Sequence, residues 1–195
     1  MSPQRPRAIV VGTSAGGLAA LGELFSLLPA ELGLPVLVVQ HLHPKQDASM
    51  HAFFNRTCAL HVKEAEDKEP VEPGRIYFAP PDYHLLVERD GALALSADEK
   101  VRWSRPSIDV LFESAVYAYA PALIGVILTG ANGDGTRGLQ LIREHGGLTI
   151  AQDPRTCEYP EMPRSAIAAG AVMKVLTLKE IGAFLTQSAC GGEND

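Results

Sequence analysis

Ser14 stands in the stretch Gly12-Thr13-Ser14-Ala15-Gly16-Gly17, a Gly-x-Ser-x-Gly pattern set directly after the apolar run Ala8-Ile9-Val10-Val11. Apolar positions then recur at helical spacing from Leu18 to Leu28, before Pro29. A serine projected from a tight strand-to-helix bend can attack a carbonyl, and amides at the start of the following helix can hold the negative charge that develops on oxygen. The Ala15 N–H is the first candidate donor to that charge. Taken alone, a serine in such a turn more often caps the helix than performs chemistry.

A hydroxyl is a weak nucleophile until a base takes its proton. The second apolar run, Val36-Leu37-Val38-Val39, is followed after Gln40 by His41, and two residues later by His43, which competes for the role. His41 is preferred because the strand end fixes its position better. The base in turn needs an acceptor on its other ring nitrogen, usually a buried carboxylate. The apolar run Ile124-Gly125-Val126-Ile127-Leu128 leads to Gly130-Ala131-Asn132-Gly133-Asp134-Gly135, and Asp134 is the carboxylate so supplied. An aspartate between glycines is commonly a turn former. A hydroxyl, an imidazole and a carboxylate, each after its own apolar strand, make a stronger joint case than any one of them.

The elements that must position these residues follow from the same pattern. Two short apolar runs joined by a helix form a βαβ unit with parallel strands that end on one edge. Further strands are expected at 76–78, 85–87, 92–95, 124–128, 148–151 and 172–176, and helices at about 48–56, from just after Ser107 to 119, 136–145, 164–169 and 178–185. Asp90-Gly91 signals a hairpin between the second and third of these positions, 85–87 and 92–95. The expected fold is therefore α/β: a doubly wound three-layer domain with a mostly parallel sheet and a local antiparallel β-hairpin. In such sheets ligands collect outside the carboxyl ends of the strands, which is where Ser14, His41 and Asp134 fall.

At 195 residues the chain has the size of one domain. Residues 1–188 are expected to form it, with 189–195 as a polar C-terminal tail. No apolar stretch approaches the roughly 20 residues needed to cross a bilayer, and the basic start lacks a cleavage site, so a cytoplasmic location without membrane insertion is expected. Cys58, Cys157 and Cys190 fit neither a disulfide framework nor a paired-cysteine metal site and read as free thiols. A formal charge of −6 argues against nucleic acid as a partner.

With these residues located, the chain resembles the catalytic domain of the chemotaxis protein-glutamate methylesterases, the CheB-type enzymes, over nearly its whole length. The stretch 12–17 is similar to that family's nucleophile turn, Val39-Gln40-His41 to its histidine segment, and 125–130 with Asp134-Gly135 to its aspartate segment. Further similar stretches are 62–65, 77–80, 105–112, 149–152 and 162–164. The resemblance implies hydrolysis of glutamate methyl esters on the cytoplasmic helical region of methylated chemoreceptors, releasing methanol, and deamidation of receptor glutamines. It implies catalytic Ser14, His41 and Asp134 and no cofactor; no metal is expected, and a monomer is the default where the sequence leaves the oligomeric state open. Ala15 and Ala131 are the expected oxyanion or substrate-lining positions. Two departures stand out. Too few residues precede Ala8 for the receiver domain of the familiar architecture, and the loop reads Thr129-Gly130-Ala131-Asn132 where many relatives carry Thr-Gly-Met-Gly.

Rival readings exist. Gly133-Asp134-Gly135-Thr136-Arg137-Gly138 satisfies Gly-x-Gly-x-x-Gly, with Asp153 about 20 residues on, as a dinucleotide site requires. That reading gives Ser14 and His41 no role. An ordinary α/β-hydrolase runs in the order Ser, acid, His, unlike this chain. A binding module that kept the fold and lost turnover is the non-enzyme alternative.

Overall fold

The structure is a computed structural model that describes residues 5–41 and 49–190. Among these, seven strands form one sheet: β1 (Ala8–Thr13), β2 (Val36–Gln40), β3 (His61–Glu64), β4 (Arg75–Phe78), β7 (Leu123–Ile127), β8 (Leu148–Gln152) and β9 (Lys174–Leu176). Their order is β3-β4-β2-β1-β7-β8-β9, and every adjacent pair is parallel. The remaining strands, β5 (His84–Val87) and β6 (Leu93–Ser96), pair antiparallel as a separate hairpin. Its turn is closed by Gly91, at φ +89°, and by the Ala92 N–H donating to Asp90 Oδ1 at 3.0 Å.

Alternation along the central strands divides the core into two layers. Ile9, Val11, Val36, Val38, Ile124 and Val126 face one way, against α1 (Gly17–Ser26), α2 (Ser49–Thr57) and α6 (Leu178–Cys190). Ala8, Val10, Leu37 and Val39 face the other, against α3 (Ile108–Tyr119), α4 (Thr136–Glu144), α5 (Glu161–Ala168) and the hairpin. Because both faces are covered, these strands read as unbroken apolar runs. Burying a Leu or Phe such as Leu21, Phe25 or Phe112 stabilises by about 1.5–3 kcal/mol each.

The α/β class and the hairpin are as the sequence predicts. Three details differ. β3 has no counterpart among the expected strands; only Val62 of its four residues is buried, so an edge strand leaves no apolar run to read. The last strand begins at Lys174 rather than at Val172, and its Lys174 and Val175 lie exposed on the opposite edge. The final helix extends to Cys190, past its expected end near Leu185, and Ala189 packs into the core layer under α1.

Candidate active site

The site is built where three neighbouring strands end. β1 is central, with Thr13 in register with Gln40 of β2 and Gly12 in register with Ile127 of β7. The ladder continues one step beyond the strands: the His41 N–H donates to the Thr13 carbonyl at 3.1 Å, and the Ser14 N–H to the Thr129 carbonyl at 3.0 Å. Ser14 and His41 are thereby fixed side by side at the carboxyl edge.

Gln40 ties the two together. Its Nε2 donates to the Ser14 carbonyl at 2.8 Å and to the His41 carbonyl at 2.9 Å, from a position only 5% exposed. The turn after Ser14 accommodates this clamp through glycine. Gly16 has φ +75°, a conformation that L side chains rarely adopt, and a Cβ at Gly17 would run into the Gln40 carboxamide and the Thr13 hydroxyl. Thr129 completes the support. It accepts from Thr13 Oγ1 at 2.8 Å through its carbonyl, while its own hydroxyl lies 3.0 Å from the Ala15 carbonyl and accepts the Tyr159 N–H at 2.9 Å.

Asp134 reaches the site from the turn before α4. Asn132 shapes that turn, its Oδ1 accepting the Asp134 N–H at 3.0 Å. The Asp134 carboxylate is 1% exposed and accepts five hydrogen bonds. Oδ2 takes His41 Nε2 at 2.9 Å and the Ile108 N–H at 2.8 Å; Oδ1 takes Ser107 Oγ at 3.0 Å, the Asp109 N–H at 3.1 Å and the Gly135 N–H at 3.0 Å. Burial alone would raise the Asp134 carboxyl, but His41 and the Ile108 and Asp109 amides outweigh it and hold the group below its ordinary value. Ser107 precedes α3 without capping it; Asp134 supplies the cap across the fold.

With Nε2 directed at Asp134, Nδ1 is the His41 nitrogen left to face a hydroxyl. Ser14 and His41 line one groove with Ala15, Gly16 and Glu158. No hydrogen bond joins Ser14 Oγ to the His41 ring among the described residues; such contacts are often loose before substrate arrives. The Ala15 and Gly16 N–H groups meet no acceptor among the described residues and open the start of α1 to an anion. Ala131, by contrast, lies exposed on the loop and is not among the residues that line the groove. His43 lies outside the described residues. Gln40, Ser107, Thr129 and Glu158 join the site without a motif that singles them out; a serine just before an expected helix is the one local signal among them.

The glycine pattern at 133–138 is packed shut. The Gly138 N–H donates to Asp109 Oδ1 at 2.8 Å, and a Cβ at Gly138 would overlap Phe112. Asp153, the expected ribose partner, is engaged by Arg155 at 2.6 Å. These contacts leave no cradle for a pyrophosphate, which corrects the dinucleotide alternative.

The family model described as CheB methylesterase matches residues 9–185. A putative protein-glutamate methylesterase/protein-glutamine glutaminase of Leptospira interrogans is 49% identical over 174 residues, covering 89% of this chain and 90% of that protein. A protein-glutamate methylesterase/protein-glutamine glutaminase of Symbiobacterium thermophilum is 39% identical over 186 residues, covering 95% of this chain and 51% of that protein. The chain thus spans nearly all of the first relative and about half of the second. The crystal structure of the Thermotoga maritima CheB methylesterase catalytic domain superposes with a TM-score of 0.89 at 36% identity, covering 93% of this chain and 97% of that one.

Proposed function

The chain belongs to the CheB methylesterase family, and from that premise we propose that it is a serine hydrolase cleaving glutamate γ-methyl esters on the cytoplasmic helices of methylated chemoreceptors. Ser14 Oγ attacks the ester carbonyl while His41 Nδ1 takes its proton. The oxyanion is received at the start of α1 by the Ala15 N–H, with the Gly16 N–H beside it. His41 then returns the proton to the departing methoxide, releasing methanol. Water, deprotonated by His41, attacks the acyl-enzyme, and Ser14 leaves with its proton restored. Asp134 stays charged throughout, holding the ring with Nε2–H toward itself and stabilising the imidazolium.

The observation that carries this reading is the 2.9 Å contact between His41 and an aspartate fixed by four further donors, at the strand edge where Ser14 stands. The same acyl-enzyme can form from a receptor glutamine, with ammonia in place of methanol. The names of the Leptospira and Symbiobacterium relatives, which include both activities, support that second reaction. The reading takes residues 1–188 as one catalytic unit working in the cytoplasm. No helix of the described residues is long and apolar enough to cross a membrane.

The test is methanol release from a methylated receptor fragment by the wild type and by Ser14→Ala. Release by the wild type with a loss of at least about 10³-fold in the variant is expected. Equal rates would remove Ser14 from the mechanism, and a silent wild type would favour a binding module.

A further inference from the structure

Hydrolysis of a neutral ester leaves an anion in the same groove. The N-terminal amides of α1 that receive an oxyanion also attract a carboxylate, so the chemistry by itself favours retention of product. The described lining of the groove contains no lysine or arginine, and its one carboxylate is Glu158.

Glu158 comes from the loop between β8 and α5, and its position is tied to the nucleophile turn. The next residue, Tyr159, donates its N–H to Thr129 Oγ1 at 2.9 Å and accepts the Gly130 N–H at 2.9 Å through its carbonyl. Thr129 is the residue whose carbonyl holds the Ser14 N–H. Glu158 then lies against Gly16: its Cβ and Oε2 are each 3.0 Å from where a Gly16 side chain would begin. An exposed carboxylate thus lies over the start of α1, one residue beyond the proposed oxyanion donor Ala15.

Resting on the hydrolase reading above, we infer that Glu158 is a specificity-determining residue that makes the groove accept neutral glutamyl esters and amides and reject the glutamate carboxylate they become. The oxyanion of the reaction escapes most of this repulsion. When it forms, His41 has taken the Ser14 proton, so the negative charge is matched by an adjacent imidazolium. Once His41 has returned its proton to Ser14 and the product acid has released its own to solvent, the carboxylate faces Glu158 with no imidazolium beside it. The groove therefore distinguishes two anions of similar position by the protonation state of the neighbouring base.

The experiment measures binding of one helical peptide in three forms, with a single site as glutamate γ-methyl ester, glutamine or glutamate, to Ser14→Ala protein that does not consume the ester. Adding Glu158→Gln should tighten glutamate-peptide binding by about three- to tenfold, with ester and glutamine forms within about twofold, and Glu158→Lys should tighten it further. The gain should shrink as salt is raised, because the groove is open to solvent. Unchanged affinity for the glutamate form, or an equal change for all three, would overturn the inference. Methanol release by the protein with Ser14 intact is scored separately, so failure of the hydrolase reading is recognised by absent turnover whatever the binding preferences are.

Discussion

Asp134 and Asp109 cap each other's helices. Asp134, at the entry to α4, accepts the Ile108 and Asp109 N–H groups that begin α3, at 2.8 and 3.1 Å. Asp109, in the first turn of α3, accepts the Gly138 N–H in the first turn of α4 at 2.8 Å. The carboxylate that orients His41 is thus locked into the packing of two helices, and a second buried carboxylate stands beside it. Asp109 is 2% exposed, and its Oδ2 accepts no hydrogen bond among the described residues; the nearest cation is Arg102, with Nε at 3.7 Å.

Burial pushes the Asp109 carboxyl up from its ordinary 3.8 to about 6; the Gly138 N–H and Arg102 oppose this, and the charges of Asp134 and Glu113 add to it. A raised folded value means that Asp109 contributes stability fully below about pH 3.8, lost as pH rises through about 6. Asp134, held low, has the opposite sign: its contribution is present above its ordinary value and lost in acid. Asp109→Asn removes the first dependence and keeps the second. Its unfolding free energy should gain on the wild type by on the order of 1–3 kcal/mol between pH 4.5 and 7.5. Denaturant melts at the two pH values check this, and a constant difference between the proteins would refute it.

Asp134→Asn should lower turnover by roughly 10²- to 10⁴-fold, since the neutral amide neither stabilises the imidazolium nor enforces the ring orientation. It should also destabilise. Five donors converge on the carboxylate, so an amide NH2 must face at least one of them, at a cost of about 1–3 kcal/mol. Assays well below the melting temperature separate the two effects. Wild-type turnover in a folded variant would reduce Asp134 to a helix cap.

For Gln40→Leu, the prediction is a fall in kcat of about 10- to 100-fold with KM changed much less. The side chain carries no charge to offer a substrate; it fixes the backbone of Ser14 and His41, the proposed nucleophile and base, through two carbonyls, and small misplacements at a reacting centre are costly. Stability should drop by about 1–3 kcal/mol. A variant that loses affinity for substrate while keeping kcat would make Gln40 a binding residue instead.

How much of this is legible in the sequence depends on how each residue acts. β1, β2 and β7 announce themselves as apolar runs because both sheet faces are covered, and Ser14, His41 and Asp134 are found by looking just beyond each run. β3 escapes because an edge strand with one buried residue has no pattern. Gln40, Asp109 and Thr129 escape for another reason: each makes a hydrogen bond to a backbone group more than 25 positions away, at Ser14, Gly138 and Ala15 respectively, and no local spacing encodes such contacts. Ala131 shows the converse, an exposed position in the expected loop that is not among the residues lining the groove.

Gly17 offers the sharpest test of the Gln40 clamp, because its backbone has no need of glycine. Its φ is not in the left-handed region, and as the first residue of α1 it would gain helix propensity from alanine. What forbids a side chain is space, since a Cβ would press on the Gln40 carboxamide and on Thr13 Oγ1. Gly17→Ala should therefore destabilise by about 1–3 kcal/mol and reduce turnover together, by driving Gln40 off the Ser14 and His41 carbonyls. In a Gln40→Ala background most of the obstruction is gone, so the added alanine should cost far less than in the wild type. The double-mutant cycle should show a coupling of about 0.5–3 kcal/mol, and additive effects in both stability and turnover would mean that Thr13, rather than Gln40, is what Gly17 makes room for.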